Sequence, residues 1–211
     1  MKVIFFDFWG TLVENGIFPS PVRQAHRMLR VNMPFAEYIE RFEHTFMTVE
    51  HETLTEAFKA VTTEFDLNPP EFVYEKLVGM WNKNTFLAKL FDDTKETLED
   101  LKKDYKLVLI ANTDKHSIPQ LLDKFDLKKY FDEIVFSYDN HILKTDPKMF
   151  DIALKKLKLK SKDAIMIGDS IPTDMIGSEK AGIKGILLDR RDRREYENKI
   201  TSLKQIKERI E

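Results

Sequence analysis

Apolar residues in this chain follow two kinds of pattern. After residue 100 they form short unbroken runs at 107–110, 134–136, 165–167 and 186–188, and a run of the same kind stands at 3–6. Runs that are continuous rather than alternating belong to strands buried on both faces of a parallel sheet. Between them, residues 94–103, 117–125, 147–157 and 173–181 carry apolar positions at helical spacing. Pro147 suits a first helical turn and Gly182 a helix stop. This alternation predicts an α/β fold with a Rossmann-like, doubly wound parallel sheet and right-handed crossovers.

The second pattern breaks that alternation. Helical periodicity alone appears at 21–29, 35–47, 54–65 and 70–81, with turns at Asn32-Met33-Pro34 and Asn68-Pro69-Pro70. An all-helical unit is therefore expected to interrupt the sheet after its first strand. The expected division is an α/β core domain over 1–15 and 91–211, and a helical domain over 16–90. Phe42, Phe46, Phe58, Trp81 and Phe86 read as the helical unit's own core.

Composition narrows the chemistry. At 211 residues the chain can bury one sizeable core, or a core with a smaller appended unit. A net charge of -2 gives no general attraction to nucleic acid or to an anionic membrane, so neither is expected as a partner. Arg190, Arg191, Arg193 and Arg194, interrupted by Asp192 and followed by Glu195, read as a solvated turn. With no cysteine there is no disulfide framework, thiolate metal site or cysteine nucleophile. The opening segment reaches Asp7 too soon for a signal peptide, and no apolar run has the length of a membrane span. The expected address is the cytoplasm.

In open α/β sheets ligands bind beyond the carboxyl ends of the strands. The polar residues that follow each apolar run are therefore the candidates for chemistry. They are Asp7-Phe8-Trp9-Gly10-Thr11-Leu12, then Ala111-Asn112-Thr113-Asp114, then Ser137, Asp139 and Lys144-Thr145-Asp146-Pro147, then Gly168-Asp169-Ser170 with Asp174 beyond. A polar residue after one strand is ordinarily a turn or cap. Carboxylates, a lysine, an asparagine and hydroxyls gathered at one sheet edge form a site.

These segments resemble, in order, the four motifs of the haloacid dehalogenase superfamily. Phe5-Phe6-Asp7-Phe8-Trp9-Gly10-Thr11-Leu12 is similar to the first, in which hydrophobic residues precede Asp-x-Asp-Gly-Thr-Leu. Leu109-Ile110-Ala111-Asn112-Thr113-Asp114 looks like the second, and Lys144-Thr145-Asp146-Pro147-Lys148-Met149-Phe150 like the third. Met166-Ile167-Gly168-Asp169-Ser170-Ile171-Pro172-Thr173-Asp174 is similar to the fourth, Gly-Asp with a second Asp downstream. A helical insertion after the first motif is what this superfamily calls its cap.

The resemblance implies a hydrolase acting on a small phosphorylated metabolite, with Asp7 as covalent nucleophile. It implies Mg²⁺ held by Asp7, Asp169 and the main-chain carbonyl of Trp9, with Asp174 acting through water or from behind. Lys144 would supply positive charge to Asp7 and the transferring group, and Thr11, Asn112 and Thr113 would donate hydrogen bonds to its oxygens.

Two positions depart from the pattern. Trp9 stands where the superfamily's phosphatases carry an aspartate that protonates the leaving group, a contribution typically worth about 10²–10⁴-fold. Ala111 stands where Ser or Thr is usual, with Thr113 as the nearby hydroxyl. Two alternative readings follow. One is metal-free 2-haloacid dehalogenation, whose branch often has an aromatic residue at the Trp9 position but needs an arginine from the cap, where Arg23, Arg27, Arg30 and Arg41 lie. The other is a binding protein that has lost activity. His116, and His26, His44 and His51 of the cap, read as helix-surface or capping residues rather than as a replacement acid.

Overall fold

The computed structural model describes residues 2–210; Met1 and Glu211, the outer ends of the expected core ranges, lie outside the described residues. Strands β1 (Val3–Phe6), β4 (Lys106–Ala111), β5 (Glu133–Phe136), β6 (Ala164–Gly168), β7 (Lys184–Leu188) and β8 (Lys199–Ile200) make one sheet in the order β5-β4-β1-β6-β7-β8, every pair parallel. The chain builds outward from β1 to β4 and β5 on one side, then crosses to β6, β7 and β8 on the other. β1 is therefore the switch point, and the crevice beyond its carboxyl end is where such a sheet binds ligands.

The unbroken apolar runs are explained by two cores, one on each face. Ile4, Phe6, Leu107, Leu109, Ile165 and Ile167 pack on one side against α5 (Thr94–Leu101), α6 (Ser117–Lys124) and α10 (Ile206–Ile210). Val3, Phe5, Val108, Ile110 and Met166 pack on the other against α8 (Lys148–Leu157). Register alignment of Phe6 with both Leu109 and Ile167 brings the ends of the three central strands level, so their polar followers share one edge.

The helical insertion is α1 (Pro21–Leu29), α2 (Phe35–Met47), α3 (Leu54–Glu64) and α4 (Glu71–Leu87), around a third core that includes Tyr38, Phe42, Phe46, Phe58, Leu77 and Trp81. Thr53 opens α3 with a full capping box: its hydroxyl accepts from the Glu56 N–H at 3.1 Å, and the Glu56 carboxylate accepts from the Thr53 N–H. Each buried Phe contributes about 1.5–3 kcal/mol of transfer free energy to this core. Where the insertion leaves and rejoins the sheet, β2 (Val13–Glu14) pairs antiparallel with β3 (Lys89–Leu90).

Several expectations need correction. α4 runs six residues past 81, because Asn84 turns its amide toward the chain's other crossing and accepts from the Ile17 N–H at 3.3 Å. That extension carries Phe86 out of the core to 78% exposure. The helix expected over 173–181 is divided into a π-helical turn, Ile171–Met175, and α9 (Ile176–Lys180). Pro172 lacks an N–H for a regular start, and the N–H groups of Asp174 and Met175 both return to the Ser170 carbonyl. Pro147 sits at the N-cap of α8 rather than inside its first turn.

The arginine run is also only half solvated. Arg191 and Arg193 are exposed, but Arg190 reaches across to Asp93 through a paired contact at 2.9 and 3.1 Å and donates to the Thr11 carbonyl at 2.8 Å. Arg194 donates to the Asp169 carbonyl and, at 3.3 Å, to Asp189. The turn after β7 folds back over the first and fourth motifs, so the first and last guanidinium groups of the run point inward and the middle two face solvent.

Candidate active site

The loop after β1 is a tight turn in which the Leu12 and Val13 N–H groups both return to the Phe8 carbonyl, and Gly10 N–H bonds the Val13 carbonyl at 2.8 Å. Gly10 has φ +78°, and a Cβ there would collide with the Asp169 carboxylate. Only glycine lets the first and fourth motifs approach this closely. The turn leaves Asp7 buried at the end of β1, with the Thr11 hydroxyl donating to its Oδ2 at 3.1 Å.

Lys144 closes the other side. Its Nζ donates to Asp7 Oδ1 and, at 2.6 Å, to Asp174 Oδ1, with the lysine side chain 3% exposed. Burial alone pulls an ammonium toward neutrality, but the charges and hydrogen bonds of Asp174 and Asp7 outweigh it and hold Lys144 above its usual value. Its carbonyl lies against Gly177, where a Cβ would strike it. Asp174 Oδ2 accepts from the Ser170 N–H at 3.0 Å.

Carboxylate oxygens of Asp7, Asp169 and Asp174 all lie within 4.8 Å of one another. Burial, then repulsion from Asp7 and Asp174, pushes the Asp169 carboxyl well up. Burial raises Asp174 too, partly offset by Lys144. Three acids against one ammonium form an under-neutralised cluster of hard oxygen donors.

Asn112 links rather than points. Its Oδ1 accepts from the Lys144 N–H at 2.9 Å, and its Nδ2 donates at 3.0 Å to Glu43 on α2. Thr113 is buried; its hydroxyl donates to the Asp114 carbonyl at 3.0 Å and its N–H to Ser137 Oγ at 2.9 Å. Trp9 is half-buried, edge-on to Phe8 with ring centroids 5.4 Å apart, and lines the cleft beside Asp7.

That cleft, about 660 Å³, lies between the sheet edge and α2 and α4. Ala36, Ile39, Glu40, Glu43 and Met47 of α2 line it, one face of a helix at three- and four-residue spacing. The sequence reading did not single out Glu43; the periodicity of α2 was the available signal, but an acid on an amphipathic helix ordinarily faces water. Burial pushes the Glu43 carboxyl up to about 6 against the lowering effects of Asn112 and Lys144, with Asp174 and Asp7 adding to the rise. From α4, Trp81 Nε1 donates to Asp114 Oδ2 at 3.1 Å and Ser117 Oγ at 3.0 Å, tying the helical unit to the core.

The histidines stay out of the cleft. The rings of His26, His51 and His116 each meet a backbone carbonyl, those of Met33, Thr45 and His51, and His44 is exposed. Among the described residues no arginine lines the cleft: Arg23 lies over Phe35 and Arg41 pairs with Glu64.

Comparison with known proteins agrees with this architecture. Glyceraldehyde 3-phosphate phosphatase of Methanothermobacter thermautotrophicus is 26% identical over 194 residues, covering 90% of this chain and 86% of that one. The crystal structure of a HAD phosphatase from Thermococcus onnurineus superposes with a TM-score of 0.65 at 23% identity, over 99% of this chain and 97% of that one. A 2-haloacid dehalogenase from Pseudomonas syringae pv. tomato superposes with a TM-score of 0.68 at 20% identity, over 100% and 98%. One fold thus serves both chemistries, and the fold alone does not choose between them. The haloacid dehalogenase-like hydrolase family profile matches residues 1–182, from the strand bearing Asp7 through the turn after Asp174, and the chain belongs to that family.

Proposed function

We propose that the protein is a magnesium-dependent phosphatase that hydrolyses a small phosphorylated metabolite through an aspartyl-phosphate on Asp7. The observation that carries this reading is the buried Lys144 ammonium shared by Asp7 and Asp174 with the Asp169 carboxylate alongside. Relatives named as phosphatases support it.

The donor set fits Mg²⁺. Three acids are raised or crowded in one buried cluster, one ammonium offsets a single charge, and the donors are all oxygen, as a small hard cation requires. Asp7, Asp169 and the main-chain carbonyl of Trp9 would hold the ion, with Asp174 completing the set through water. Bound there, it neutralises charge between an anionic nucleophile and an anionic phosphate.

The chain's own groups account for the rest. The Thr11 hydroxyl fixes the Asp7 carboxylate for attack on phosphorus. Lys144 remains protonated and faces the charge that develops in the transition state. Asn112 and Thr113 border the space for the phosphoryl oxygens, while Thr11, buried behind Asp7, acts through that carboxylate. We divide the chain into a core of 1–15 and 91–211 and a cap of 16–90, the site lying between them, and we place the reaction in the cytoplasm. The haloacid reading is not favoured: a 2-haloacid carboxylate would meet Glu40 and Glu43 in the cleft and no guanidinium.

The test is hydrolysis of an aryl phosphate with Mg²⁺, with EDTA, and by Asp7→Asn. Activity that needs both the metal and Asp7 is expected. Undiminished turnover by Asp7→Asn would remove the covalent mechanism, and turnover unaffected by EDTA would remove the metal.

A further inference from the structure

Trp9 occupies the place from which this family's phosphatases protonate the leaving group, and an indole has no proton to give there. Phosphate esters of ordinary alcohols leave badly as alkoxides. A phosphatase built on Asp7 therefore needs an acid elsewhere, on the side of the cleft facing the nucleophile.

The candidates can be sorted by what each already does. Asp169 and Asp174 belong to the oxygen cluster around Lys144. Asp114 accepts from the His116 and Ser117 N–H groups, the Ser117 hydroxyl and Trp81, so both of its carboxylate oxygens are already engaged. Lys144 is locked between two carboxylates, and Lys180 and Glu40 are exposed. The histidine rings face backbone carbonyls or solvent.

Glu43 differs from all of these. It lies on the cleft face of α2, opposite the sheet edge that carries Asp7, and among the described residues its hydrogen-bond partner is Asn112 alone, through Oε2 at 3.0 Å, with Oε1 unpartnered. Asn112 in turn accepts from the Lys144 N–H, so Glu43, Asn112, Lys144 and Asp7 form a continuous chain of contacts that sets the acid's position relative to the nucleophile.

We propose that Glu43, supplied by the cap, is the general acid and base of the reaction, standing in for the aspartate that Trp9 replaces. In the first step Asp7 bonds to phosphorus as the bond from phosphorus to the leaving oxygen breaks, and that oxygen takes the proton of the Glu43 carboxyl. In the second, water attacks the aspartyl-phosphate and gives its proton to the Glu43 carboxylate. The bond to Asp7 breaks, phosphate departs, and both carboxyl groups return to their starting states. The burial that raises Glu43 suits it to carry a proton near neutral pH. The assignment rests on the phosphatase reading above.

The experiment compares an aryl phosphate, whose leaving group needs no proton, with an alkyl phosphate, for wild type and Glu43→Gln in Mg²⁺. Glutamine keeps the shape and an oxygen for Asn112. In rapid mixing the expected result is release of the first equivalent of aryl leaving group within about threefold of the wild-type rate, slower later turnovers because the second step lacks its base, and a first alkyl turnover lowered by about 10²–10⁴-fold. Equal losses in the first turnover of both substrates, or none in either, would overturn the role of Glu43 while leaving the phosphatase reading in place. A wild type inactive on both would remove that reading, and this inference with it. A second measurement needs no variant. Wild-type rates across phosphates of graded leaving-group pKa should vary shallowly, and a dependence as steep as that of the uncatalysed reaction would likewise overturn the proposal.

Discussion

Replacing Arg190 by Met should destabilise the protein strongly, whereas the exposed Arg191 and Arg193 should be dispensable. The guanidinium makes three charge-assisted hydrogen bonds, two to Asp93 at 2.9 and 3.1 Å and one to the Thr11 carbonyl at 2.8 Å, and lies 3.8 Å from the centre of the Phe91 ring. The side chains of Arg190 and Asp93 are 18% and 9% exposed. Breaking a fully buried pair by removing one partner costs about 3–5 kcal/mol. Here the partial exposure of Arg190 reduces that figure, and so do the bonds Asp93 keeps from Ser202 Oγ at 2.8 Å and the Leu203 N–H at 2.9 Å. A loss of about 2–3 kcal/mol remains, equivalent to a Tm lower by about 4–12 °C for a chain of this size. Met preserves the stem's packing on Phe91, so the change isolates the charge.

The pH dependence gives the sign. Burial alone would raise the Asp93 carboxyl, but Arg190, Ser202 and Leu203 outweigh it and hold it below the usual carboxylate value. Its contribution is therefore present above the unfolded value of about 3.9 and disappears as pH falls through the folded one. Thermal melts of wild type, Arg190→Met and Arg191→Met at pH 7 and pH 3 make the test. The Arg190 gap should narrow in acid, and Arg191→Met, at an exposed position, should match wild type. A Tm drop below about 2 °C at pH 7, or a gap that is the same at both pH values, would refute the reasoning.

Other outcomes follow from the same geometry. Mg²⁺ should raise the Tm more at pH 8 than at pH 5, since burial and mutual repulsion raise the Asp169 and Asp174 carboxyls and protons compete with the ion as pH falls; equal shifts in a thermal titration would contradict the metal site. Gly10→Ala should abolish turnover with little change in far-ultraviolet circular dichroism, because its Cβ collides with the Asp169 carboxylate at a positive φ. Trp81→Phe removes the N–H that joins α4 of the helical insertion to Asp114 and should cost about 1–3 kcal/mol, with faster amide exchange at His116 and Ser117, whose N–H groups share Asp114.

Much of this architecture was readable from residue order because it is periodic or local. Strands buried on both faces announce themselves as unbroken apolar runs, and α1 and α2 fall where the spacing predicts them. What escaped was either too short for a period or set by partners distant in the chain. β2, β3 and β8 are two residues each, below the length at which alternation can be recognised. Arg190 looks solvated until Asp93, 97 positions away, is brought beside it. Glu43 becomes a cleft residue only because Asn112, 69 positions on, faces it. The polar stretch Asn82-Lys83-Asn84 hides the continuation of α4, since the burial of Asn84 depends on a loop near Ile17. Among the site residues, Asp7, Lys144, Asp169 and Asp174 converge as their strand-end positions implied, whereas the Thr113 hydroxyl is already given to the Asp114 carbonyl.

The chain contains two tryptophans, and both line the cleft, Trp9 from the sheet edge and Trp81 from α4. Tryptophan emission in this protein, excited selectively over its six tyrosines, therefore has no spectator indole. Trp9→Phe leaves a single indole on the helical side, hydrogen-bonded to Asp114, and Trp81→Phe leaves a single one beside Asp7. Stopped-flow emission from each variant would time the arrival of ligand at one wall of the cleft separately from the other, with no dye or label attached.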